Sequence, residues 1–388
     1  MGLPEGYIYL DNAAATRVDP EVVKAMLPLF DDTYAVASSQ FSHQPGIMAA
    51  EALEESRNRI ASAFRVKPNE VILTSDAAES NNLALKGFAL ANQVKGKHIV
   101  SSKIEVHSVL QSLKTLGQEG FEVTLLTVNR EGIVDPEDFR KALRPDTILA
   151  SVQWVNQETG TVQDILSLAA LAKANGTVFH TDASLAAGRM DIDLSKVPVD
   201  MLTMTAGLIH GPKGAAVLIR RNGIKLKKLT DGGFNEFDLR AGVENIPGAA
   251  GLAKALELWT PERRDRIARL DGMLEEKLLR IEESELNGSP ARRLKGILNI
   301  SYGRVEGESV ILHLDMKGIA VITGSACFSR SLEPSYVLMA MGHTHERAHG
   351  SIRYSLSAFN TETEMDRTAV ATREVVEKLR QITPVRKA

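Results

Sequence analysis

Seven short apolar runs separated by helical patterns constrain this chain more than any other feature. They are Val71–Ser75, His98–Ser102, Glu122–Val128, Thr147–Val155, Val178–Asp182, Met201–Thr205 and Ala215–Arg220. Between most of them lie amphipathic stretches such as Ala49–Phe64 and Ile165–Ala174. Alternating strands and helices predict an α/β fold, with a mostly parallel seven-stranded sheet and helices on both faces. In such sheets ligands sit beyond the carboxyl ends of the strands, so the segments after those ends hold the candidate site.

After about Ala255 the pattern changes. A charged helical stretch covers Pro261–Glu285, a strand Ile297–Tyr302, a helix Glu308–Asp315, and a C-terminal helix Glu364–Ile382. At 388 residues the chain is long for one compact unit. The expected division is a large α/β domain at 15–255 and a smaller α+β domain built from 1–14 and 256–388. No repeat or low-complexity tract interrupts it.

A net charge of −3 gives no electrostatic footprint for nucleic acid. No apolar run spans a bilayer, and Met1–Leu10 shows no basic-then-apolar leader pattern. The expected location is cytoplasmic. A single cysteine, Cys327, excludes an intrachain disulfide and a metal cluster held by cysteines of one chain.

Several segments carry a family resemblance. They include Tyr9-Leu10-Asp11-Asn12-Ala13-Ala14, Lys97-His98-Ile99, Val155-Asn156-Gln157-Glu158-Thr159-Gly160, Gly211-Pro212-Lys213-Gly214, Val305-Glu306-Gly307-Glu308-Ser309, Gly324-Ser325-Ala326-Cys327 and Ser331-Leu332-Glu333-Pro334-Ser335. From about Tyr9 to Pro384 the chain resembles the cysteine desulfurases of the NifS/IscS kind, class V aminotransferases that use pyridoxal phosphate. The resemblance implies a type I pyridoxal phosphate-dependent transferase fold. It also implies a reaction in which a lysine binds the cofactor and a loop cysteine takes sulfur from free cysteine, leaving alanine.

At many of the family's functional positions this chain differs. Leu208 stands where the resemblance places the cofactor lysine, and Gly207 where it places the preceding histidine. Val106 replaces the histidine that stacks on the ring, and His107, one residue late, would turn by about 100° on a helix. Gln157 stands for the asparagine near the ring hydroxyl, Leu185 for a glutamine, and Val243 for the threonine lent by a partner subunit. In the phosphate cradle Ser75-Asp76-Ala77-Ala78-Glu79, Ala78 replaces threonine and Asp76 replaces glycine. An aspartate there caps the helix and repels a phosphate. The glycine-rich loop becomes Gly232-Gly233-Phe234-Asn235-Glu236, with Asp238 in place of a further glycine.

Other parts survive. Asp182 matches the ring-nitrogen aspartate, Arg353 the substrate-carboxylate arginine, Cys327 the sulfur acceptor, and Thr205 keeps a phosphate-contact hydroxyl. As residues alone, Asp182 also reads as a turn cap and Arg353 as an ion-pair partner. His343, His345 and His349 read as a solvated surface rather than a metal site.

The first expectation is therefore a degenerate member of the family, a pseudoenzyme that takes no cofactor. It would form a homodimer and dock an iron–sulfur scaffold or sulfur acceptor, with Cys327 carrying a persulfide or sharing a cluster ligand. Two alternatives stay open: an active or weakly active desulfurase with a rearranged site, and a regulatory subunit of an intact one.

Overall fold

The computed structural model describes residues 4–324 and 334–382. Twelve strands occur among them: β1 Ile8–Tyr9, β2 Val71–Thr74, β3 His98–Ser102, β4 Glu122–Leu126, β5 Thr147–Ser151, β6 Val178–Asp182, β7 Met201–Thr205, β8 Ala216–Arg220, β9 Ser284–Asn287, β10 Ile297–Tyr302, β11 Ile319–Ala320 and β12 Ser351–Ser355. The large sheet has the order β2-β8-β7-β6-β5-β3-β4. Its pairs from β7 through β6, β5 and β3 to β4 are parallel. β8 is antiparallel to both neighbours, so it alone runs against the rest. This is the mostly parallel seven-stranded α/β sheet expected from the alternation.

The sheet forms because its strands are apolar on both faces. Residues of β2, β3, β5 and β7 are buried throughout, the pattern of strands covered by helices on each side. Successive side chains point to opposite faces. Ile72, Ile99, Leu149, Met201 and Leu218 pack with Leu85, Phe88, Leu113 and Leu116 of the helical segments on one side. Their neighbours Leu73, Val100, Ala150, Leu202 and Val217 join the main core with Leu53, Ile60, Leu168 and Leu252 on the other.

A second, antiparallel sheet has the order β12-β10-β9. The helices Pro261–Leu278 and Glu362–Ile382 pack against one another nearby. The charged stretch read as helical to Glu285 thus ends earlier. Leu279 caps it, Ile281 turns inward, Glu283 takes φ +52°, and β9 begins at Ser284. Helix formers there are overridden by pairing with β10, tertiary context winning over propensity. The N-terminal segment closes the structure. β1 pairs with β11, Asp11 bridges to Ser355, and Asn12 Nδ2 donates to the Ser355 carbonyl at 2.8 Å.

A buried ion network fastens the second layer. Arg293 donates to both Asp271 oxygens at 2.8 and 2.9 Å and to the Ile297 carbonyl, with both charged side chains fully buried. Arg293→Ala leaves the buried Asp271 carboxylate with only the more exposed Lys295 ammonium at 3.3 Å and the Gly296 N–H, a loss of up to about 3–5 kcal/mol. Its urea midpoint should fall accordingly, and a loss below about 1 kcal/mol would overturn this account.

A buried carboxyl sets a pH dependence. Glu105 accepts from Ser102 Oγ at 2.5 Å and from the Gln153 N–H. Burial nonetheless pushes its carboxyl from 4.5 up to about 8. A carboxyl raised on folding contributes stability below its unfolded value and loses that contribution as pH rises through about 8. Glu105→Gln should therefore gain on the parent chain by up to about 4 kcal/mol between pH 5 and pH 8. Urea melts at the two pH values measure this, and equal differences at both would refute it.

Candidate functional site

The strands deliver their following residues to one place. Beyond β3 come Val106 and His107, beyond β5 Gln153 and Gln157, beyond β6 Ser184 and Leu185, and beyond β7 Leu208. Together with Asp182, Asp76, Tyr336 and Arg353 they line a cavity of about 440 Å³. A cavity at the carboxyl ends of parallel strands is where this architecture binds ligands.

Asp182 ends β6 and is 5% exposed. Its oxygens accept from Asn81 Nδ2 at 2.7 Å and from the Ser184 N–H at 2.9 Å. Burial raises its carboxyl above the usual range, while these donors oppose the rise. Arg353, on β12, donates to Asp11 Oδ1 at 2.7 Å and to the Gln157 carbonyl at 2.9 Å. Gln157 donates to the Tyr336 hydroxyl, which donates in turn to the Glu105 carbonyl at 2.6 Å. Cys327 lies outside the described residues.

The altered positions divide. Leu208, Val106, Asp76, Ala78 and Leu185 all line the cavity. Asp76 caps the helix Ala77–Asn82 by accepting from the Ala78 N–H at 2.9 Å. Gly207 is instead tied by its carbonyl to Thr16, and its missing side chain faces Lys213 at 3.7 Å. Thr205 is buried, 3.5 Å from the Ala215 carbonyl, and does not line the cavity. Val243 lies beside a separate pocket with Ser75 and Glu236, and is 67% exposed. Here Glu236, Phe237 and Asp238 all take positive φ, and the buried Glu236 carboxylate accepts from Arg57 at 2.7 and 2.8 Å. That ion pair holds three non-glycine residues in a conformation that costs energy.

His107 differs from expectation. The 100° offset applies between two helical residues, and Val106 is not one: it is an extended cap at φ −62°, ψ 151°. Both side chains therefore reach the cavity, and the His107 ring lies 4.8 Å from that of Tyr336.

Composition and motif matching did not single out two more cavity residues. Glu158 is 3% exposed, accepts from Ser335 Oγ at 2.7 Å, and is pushed by burial up to about 7. Gln153 donates to the Ile104 carbonyl at 2.6 Å. The available signal was a glutamate and a glutamine set among apolar residues in Val152–Glu158. Among the described residues no group of His, Cys, Asp and Glu is placed to hold a metal ion, and no described helix is long and apolar enough to cross a membrane.

A family model described as aminotransferase class-V matches residues 8–368. Cysteine desulfurase IscS of Methanosarcina thermophila is 44% identical over 381 residues, 97% of this chain and 94% of that one. Cysteine desulfurase IscS of Dictyoglomus turgidum is also 44% identical, over 97% and 96% of the two chains. Among solved structures, a NifS-like protein superposes with a TM-score of 0.90 at 31% identity, covering 96% of this chain and all of its own. The structure of SspA in complex with cysteine superposes at 0.82 with 31% identity, over 91% and 100%.

These findings correct one expectation. The altered residues suggested that no cofactor is taken. Full-length similarity to cysteine desulfurases within a class V aminotransferase match points instead to pyridoxal phosphate dependence. Changes at single contact positions leave the cavity between them in place. The residues present suit the ring end of the cofactor, with a buried carboxyl at Asp182 and an open cavity above it. They offer no amine at residue 208. By its sheet, its strand-end cavity and its similarity along nearly its whole length, the chain belongs to the class V aminotransferase family, among the NifS/IscS-like cysteine desulfurases.

Proposed function

We propose that this chain is a pyridoxal phosphate-dependent cysteine desulfurase with a rearranged site, serving iron–sulfur cluster assembly or sulfur delivery. The observation that carries the reading is one cavity lined at once by Asp182 and Arg353. Asp182 would hold the ring nitrogen, and Gln157 would stand near the ring hydroxyl. When bound, the cofactor supplies an electron sink for the substrate. Arg353 would orient the substrate carboxylate. The net reaction moves one sulfur: the substrate C–S bond breaks, a bond forms to the Cys327 sulfur, and the proton passes to carbon. Cysteine and the Cys327 thiol thus become alanine and a Cys327 persulfide.

Leu208 sets the expected rate. Without a lysine amine the site lacks its positioned acid–base group, a loss of roughly 10²–10⁴-fold. The chain should hold the cofactor without a covalent bond and turn over slowly. Leu208 equally favours a second reading, in which the protein docks a scaffold and Cys327 carries a persulfide or shares a cluster. A homodimer suits either reading, because Phe234, Phe237 and Val243 leave apolar surface exposed beside the altered loop.

Alanine release from L-cysteine, measured with and without added pyridoxal phosphate, tests the proposal. The parent chain should release alanine slowly and only with the cofactor. Leu208→Lys should raise the rate by roughly 10²–10⁴-fold. No cofactor-dependent alanine from the parent chain, with release restored in Leu208→Lys, would leave the partner reading standing in its place.

A further inference from the structure

Burial alone would keep the Asp182 carboxyl neutral. It raises that carboxyl above the usual range, and the charge of Asp76 pushes the same way. Glu105 is a second acid that interacts with Asp182. His107 and Arg353 line the same cavity, but the Arg353 guanidinium is committed to Asp11 and the Gln157 carbonyl. Hydrogen bonding is what opposes burial here. The Ser184 N–H reaches Asp182 Oδ1 at 2.9 Å, and the Asn81 amide reaches Oδ2 at 2.7 Å. Donors to the charged form of a carboxyl favour that form.

Asn81 stands behind the cavity wall. It lies on the short helix Ala77–Asn82 that follows β2, is fully buried, and does not line the cavity itself. Its amide nitrogen carries two N–H groups. One goes to Asp182, and the other to Ser108 Oγ at 2.9 Å, on the helix that follows β3. The segments after β2 and β3 and the end of β6 therefore meet at this nitrogen. Asn81 Oδ1 has no hydrogen-bond partner among the described residues. A buried acceptor left unpaired is costly, so packing alone would favour an apolar side chain at this position. The amide is of use only on its donor side, which is the side that holds Asp182.

From this arrangement we infer that Asn81 is a positioning residue, whose amide fixes the Asp182 carboxylate as the acceptor for a ring N–H. Asn81 touches neither cofactor nor substrate and acts through Asp182. The inference rests on reading this cavity as the cofactor site, and adds the side chain that makes Asp182 fit for that use. Without the amide, burial and two acidic neighbours act on Asp182 with the Ser184 N–H as the remaining donor. The carboxyl then takes up a proton and loses the charge-assisted bond to a ring nitrogen.

Calorimetric titration of the full chain near neutral pH tests it apart from catalysis. The probes are pyridoxine phosphate, the alcohol form that makes no bond to amines, and its deaza analogue, in which a C–H replaces the ring nitrogen. The parent chain should bind pyridoxine phosphate at least about tenfold more tightly than the analogue, the magnitude of a hydrogen bond to a charged group. Asn81→Leu should weaken pyridoxine phosphate by about tenfold and leave the analogue within about twofold, which removes the preference. Asn81→Ala gives the same reading if the leucine variant does not fold. A variant that weakens both compounds alike would mark Asn81 as structural and overturn the inference, and so would one that keeps the parent's preference. Equal binding of both compounds to the parent chain would also overturn it, while leaving the cofactor reading intact. Binding of neither would end that reading and the inference together.

Discussion

One guanidinium joins the parts of this protein that its cavity requires. Arg353, on the second sheet, reaches Asp11 in the N-terminal segment and the Gln157 carbonyl after β5 of the large sheet. Three stretches far apart in sequence meet at that side chain. Without them the strand ends of the large sheet would open to solvent rather than to an enclosed cavity. Such a shared, mostly buried charge is held by geometry and by several acceptors together, which favours one arrangement of the segments.

The same economy of shape explains how the site tolerates so many changed residues. Its position follows from the sheet, because residues after β3, β5, β6 and β7 must emerge at one edge. Val106 and Leu208 stand where the resemblance implies a histidine and a lysine, and both line the cavity. Burial shifts two carboxyls of the cavity, Glu158 and Asp182, upward.

Reading residues one at a time served some positions and failed at others. The helix cap at Asp76 is a local property, since an aspartate before a helix bonds to the N–H two residues on. The direction of His107 is set by the boundary between cap and helix, where helical periodicity is silent. Glu158 is legible in the sequence only as part of the Val155–Gly160 segment, and not as a cavity carboxyl, because its setting depends on Gly324 and Ser335, more than 160 residues away in the chain. The absent cofactor was inferred from a sum of lost contacts, and full-length similarity to cysteine desulfurases outweighed that sum.

The sequence alone determined the layered α/β architecture, the order of its strands along the chain, and the chemical identity of residue 208. Periodic burial and side-chain type are local quantities, so they can be read without coordinates. Only the tertiary structure decided that Leu208, Asp182, Glu158 and Arg353 share one cavity, and that Asn81 holds Asp182 from behind it. Those properties arise from pairing and burial between distant segments, and no local pattern encodes them.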